Sequence, residues 1–74
     1  MQMRAGIKLL DVVALTEDLP ERKLRRGQVG TVVELLCPDV FEVEFTDNDD
    51  RAFASLALHA KQLLVLHYEP VEAA

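Results

Sequence analysis

Between Val40 and Thr46 the chain reads VFEVEFT, and Phe41, Val43 and Phe45 alternate strictly with Glu42 and Glu44. Successive side chains of a strand point to opposite faces, so this segment has one face fit for a core and one fit for water. A strand of that kind is stable only within a sheet of several strands that buries its apolar face. The rest of the sequence is therefore read for strands that complete such a sheet.

Upstream, VGTVVELL (Val29 to Leu36) reads as a β-branched strand entered through Gly27 and Gly30, two glycines that mark a bend or bulge where a side chain would clash. Cys37, Pro38 and Asp39 supply the turn between the two segments. A three-residue hairpin there would set Leu35 opposite Phe41, Val33 opposite Val43 and Thr31 opposite Phe45, with Glu34 facing Glu42 on the outer side. Earlier still, LLDVVAL (Leu9 to Leu15) is a first strand, followed by a long charged connection, TEDLPERKLRRGQ. Leu19 and Leu24 are its two large apolar residues, and both are expected to tuck onto the body as anchors.

After the turn DNDD (Asp47 to Asp50), the stretch RAFASLALHAKQLLVL fits a helical stripe of Phe53, Leu56, Ala57, Ala60 and Leu64, and it fits period two as well. The preceding hairpin needs further strands, so we read a fourth strand over Arg51 to Leu58, a turn at HAKQ, and a last strand LLVLHY. Residues 1–8 and 69–74 are expected to be loose flanks of a single domain over 9–68.

Five short strands, a long loop after the first, a glycine-bent second strand and a short helical turn before the last describe an all-β, five-stranded SH3-like barrel. The residues GQVGTVVELL, FEVEF and HAKQLLVL resemble the barrel pattern of small bacterial families of unknown function. More distantly they are similar to the C-terminal barrel of the nitrile hydratase β subunit and to KOW-type barrels of ribosomal and elongation proteins. The first resemblance implies a fold without an activity. The distant ones imply an accessory, protein-binding role in one case and nucleic-acid binding in the other.

Composition weighs between these. With 74 residues the chain buries only about 60% of the surface its unfolded form exposes, so a partner or a second copy would add stability. Its net charge of -5 disfavours DNA, RNA and anionic lipid and favours a basic protein. One cysteine, Cys37, leaves no internal disulfide and fits a cytoplasmic setting. The longest apolar run falls well short of the roughly 20 residues of a membrane helix.

Candidate chemistries thin out quickly. RRGQVG departs from the phosphate-loop pattern and leads into a strand, so its glycines serve backbone geometry. The DNDD turn lacks the calcium-loop spacing. Cys37, His59 and His67 stand on separate elements without paired metal-ligand spacing, and acids beside Cys37 do not favour a thiolate, so no enzyme, metal or cofactor is expected and Cys37 reads as a small buried or half-buried thiol. Nucleic acid would have to be held by Arg22, Lys23, Arg25 and Arg26, which stand among Glu17, Asp18 and Glu21, with no cation in the strand that follows.

The expected interface is the outer sheet face, with Val32, Glu44 and Phe53 in one row and Glu34, Glu42 and Ser55 beside it. An exposed aromatic among carboxylates suits a protein partner or self-association as a homodimer, in an accessory or antitoxin-like role.

Overall fold

The computed structural model describes residues 6–67. Tyr68, the tail 69–74 and residues 1–5 of the N-terminal flank lie outside them. The strands are β1 (Val12–Leu15), β2 (Val29–Cys37), β3 (Val40–Thr46), β4 (Ala52–His59) and β5 (Leu63–Val65), with 3-10 turns at Pro20–Arg22 and Ala60–Gln62. All five pair antiparallel in one sheet, in the order β4-β3-β2-β1-β5. The ladder does not close, because no pairing joins β4 to β5 among the described residues. The helical alternative for 51–66 loses to sheet pairing, as β4 runs alongside β3 from Val40↔His59 to Thr46↔Ala52.

Leu58 on one edge strand and Leu63 on the other belong to a single buried cluster with Val13, Leu15, Val32, Phe41, Val43 and Phe45. In a flat five-stranded sheet the edge strands would lie roughly 19 Å apart, four spacings of about 4.8 Å. They share a core only because the sheet curls around it. The long loop closes one part of that core. Leu19 and Leu24 are buried as anchors, and their backbones bridge in both directions at 2.9 and 3.1 Å.

The β2–β3 hairpin departs from the simple register. Its turn is two residues, Pro38 and Asp39, since Cys37 pairs with Val40. Leu35↔Phe41 and Glu34↔Glu42 are paired as the alternation requires, but β2 is irregular at Val33 and again at Leu36. An extra residue on one strand shifts everything beyond it to the other face. Val32 therefore meets Val43, Thr31 meets Glu44 and Gly30 meets Phe45. Val32 is 0% exposed and lies in the core, while Val33 is 37% exposed. Val32, expected in the outer row, thus faces the core, and Val33, expected opposite Val43, is the extra residue of the bulge.

Gly30 answers the need for a bare backbone at this point. A Cβ built on it would stand 2.8 Å from Val43 Cγ1 and 2.9 Å from both the Glu44 carbonyl oxygen and Phe45 Cδ2. Gly27 serves a different purpose, with φ of +90° in the turn before β2.

Candidate protein-interaction surface

The outer face follows from the pairings. Glu44 lies between Thr31 and Ser55, and Glu42 lies between Glu34 and Ala57. Ser55 Oγ donates to Glu42 Oε2 at 2.7 Å, which steadies one carboxylate of the like-charged Glu34–Glu42 pair. Among the described residues no cation reaches these three carboxylates. The ion pair found there is Arg51 with Asp49 at 3.6 Å, both well exposed, and such a pair contributes about 0–1 kcal/mol.

The β3–β4 register is offset by two residues from the expected one, so Glu44 faces Ser55 instead of Phe53, and Glu42 faces Ala57 instead of Ser55. Phe53 falls at a bulge where the register shifts between Phe45 and Thr46. It is 49% exposed. The face thus keeps Glu34, Glu42, Glu44 and Phe53, with Phe53 beyond Ser55 on the same strand instead of across from a carboxylate.

The other half of the outer face is apolar. Ala14 stands between Leu64 of β5 and Val29 of β2, which are 58% and 47% exposed. The uninterrupted apolar runs VVAL and LLVL carry this signal, because a strand apolar at every position has two apolar faces. The whole face grades from aliphatic on β5, β1 and the start of β2 to acidic at Glu34 of β2 and at Glu42 and Glu44 of β3, with uncharged β4 beyond them.

Arg22, Lys23, Arg25 and Arg26 are all exposed on the long loop. Their backbone amides hold the loop together: Arg22 N–H donates to Leu19 C=O at 2.9 Å, Lys23 N–H to Pro20 C=O at 3.0 Å, Arg25 N–H to Gln28 Oε1 at 3.1 Å and Arg26 N–H to Asp18 Oδ1 at 2.8 Å. Asp18 thus answers Arg26 through its main chain. Phe41 and Phe45 are buried and unavailable for stacking.

Cys37 is exposed at the β2–β3 hairpin, contrary to its expected burial, because the two-residue turn places it at the end of the strand beyond the core. His59 caps the 3-10 turn before β5, and its N–H donates to Gln62 Oε1 at 2.8 Å. His67 is exposed. Among the described residues no three of His, Cys, Asp and Glu gather as a metal-holding group.

A family described as a domain of unknown function, DUF4926, matches residues 9–65. The chain belongs to that family. The stretch shared with DUF4926 contains all the strands and 3-10 turns of the described residues and the long loop. No curated protein and no solved structure matches the chain. No helix in the described part of this DUF4926 chain is long and apolar enough to cross a membrane.

Proposed function

We propose that the chain is a non-enzymatic, SH3-like module that binds a basic protein through the outer face of its sheet. The strand order β4-β3-β2-β1-β5, the long connection after β1 and the 3-10 turn leading into β5 support the SH3-like reading. One observation carries the binding role: Glu34, Glu42 and Glu44 share a face on which the described residues supply no cation, with exposed Phe53 at its margin. A partner bringing Lys or Arg would neutralise the Glu34–Glu42 repulsion and cover the aromatic ring, and charge of opposite sign also speeds encounter.

The test uses the protein encoded beside this one, co-expressed and copurified. Phe53→Ser and the pair Glu42→Gln, Glu44→Gln should each weaken the complex about tenfold or more and leave the circular-dichroism spectrum unchanged. Unchanged affinity in both variants removes the face from consideration. Nucleic-acid binding through Arg22, Lys23, Arg25 and Arg26 is the competing outcome. It predicts binding of a single-stranded RNA that falls steeply with salt and vanishes in Arg25→Glu, Arg26→Glu.

A further inference from the structure

β4 ends the sheet, and among the described residues no backbone group pairs with its outer edge. The direction of its amides follows from the ladder. Ala60 N–H donates to Asp39 C=O at 2.8 Å, so Asp39 and Ala60 form a bonded position next to the Val40↔His59 pair. Bonded and non-bonded pairs alternate along an antiparallel ladder. Leu58, Leu56 and Ala54 therefore turn their N–H and C=O toward β3, and Ser55 and Ala57 turn theirs outward. His59 fits the same alternation, since its N–H faces away from β3 and donates to Gln62 Oε1 at 2.8 Å. That side-chain bond closes the C-terminal end of the edge and leaves Ser55 and Ala57 open.

Edges in soluble proteins usually carry lysine, proline or an inward charge that prevents pairing with another chain. The run AFASLAL, Ala52 to Leu58, has no charge and no proline. Its one irregularity is the bulge near Phe53.

We propose that β4 pairs antiparallel with β4 of a second copy, about a two-fold axis through Ser55. Residues facing each other across an antiparallel pair lie on the same side of the sheet, so the register must match odd with odd and even with even. Centred on Ser55, Phe53 meets Ala57 of the second copy, Ala54 meets Leu56, and Ser55 meets its own mate. Each unlike pair sets a large side chain against a small one, and the outward amides of Ser55 and Ala57 enter the ladder. Charge does not oppose the contact. The acidic rows of the two β3 strands would stand three strand spacings apart, roughly 14 Å, beyond the screening length of about 8 Å at physiological salt. The result is one ten-stranded sheet presenting two outer faces side by side. This inference rests on the backbone edge and does not depend on the basic-partner reading.

A single strand pairing is a small interface, so the dimer is expected to appear with concentration over about 10 µM to 1 mM in sedimentation equilibrium. Ala57→Pro removes an amide that the chain itself does not use. Ala57→Lys places a cation beside Glu42 of its own chain and opposite Phe53 of the second copy. Both variants should weaken the dimer at least tenfold, and Ala57→Lys decides the matter if circular dichroism shows Ala57→Pro unfolded. In a Cys37→Ser background, a short thiol-reactive linker should join Ser55→Cys chains and leave Leu64→Cys chains, altered at the exposed position of β5, unjoined. A native chain that stays monomeric at 1 mM (about the top of that range), dimers indifferent to Ala57→Lys, or equal linking at both cysteines overturns the proposal. Glu42→Gln distinguishes the two readings, since it should weaken a basic partner and leave the dimer unchanged.

Discussion

Replacing Gly30 by alanine tests the packing of the β2–β3 hairpin at its tightest point. The added Cβ would lie 2.8 Å from Val43 Cγ1 and 2.9 Å from Phe45 Cδ2 and the Glu44 oxygen. Comfortable carbon contacts are about 3.5–4.0 Å, so each carbon neighbour must give by roughly 0.6 Å or more. Val43 and Phe45 are both fully buried, and the Glu44 carbonyl belongs to the strand paired with β2. Overpacking of this kind costs about 1–3 kcal/mol, and the lower entropy of an unfolded chain with alanine offsets about 0.4–1 kcal/mol. A net loss of about 1–2 kcal/mol is expected, a large part of the few kcal/mol that hold so small a domain together. With a urea slope near 1 kcal/mol/M, the unfolding midpoint should fall by about 1–2 M at unchanged slope. Because Val43→Ala vacates one of the three contacts, its cost should be smaller in the Gly30→Ala background than in the native chain. A midpoint that stays put or rises on Gly30→Ala would refute the steric reasoning.

Leu24 lies in a long charged loop yet is 2% exposed, so Leu24→Ala should destabilise by about 2–4 kcal/mol in the same urea assay, as a core strand residue would. A loss below about 1 kcal/mol would show that the loop does not seal the core. At the β3–β4 turn, Asp47 Oδ1 accepts from Asp49 N–H at 2.9 Å and Arg51 N–H at 3.0 Å. Asp47→Ala should therefore cost about 1 kcal/mol in thermal unfolding, whereas Asp47→Asn, which keeps an acceptor, should stay close to native.

Local pattern made much of the sheet legible. The alternation in VFEVEFT marks β3, the glycines before VVELL mark a bend into β2, and Leu19 and Leu24 stand out as apolar anchors in a charged loop. The helix-or-strand ambiguity of 51–66 is resolved only by the hairpin's need for further strands, because Ala and Leu suit either period. The candidate face was legible in part. Its three glutamates are where the hairpin places them, but Val32 lies on the core side of β2, and the runs VVAL and LLVL become an aliphatic patch around Ala14 only where β1 pairs with β2 and β5.

Both departures from the local pattern have one physical cause. Alternation specifies that a strand has two faces, and turn chemistry specifies roughly where it reverses, since both are properties of a few neighbouring residues. Which face is buried depends on register, and one extra residue at Val33 reverses it for every residue before it. Only the assembled core selects that bulge, by accepting Val32 against Val43 and requiring Gly30 bare beside Phe45. Local sequence pattern thus specifies an all-β chain with an acidic-faced central strand. The tertiary packing decided which residues that face shares with solvent, and that β4 is left as an uncharged open edge.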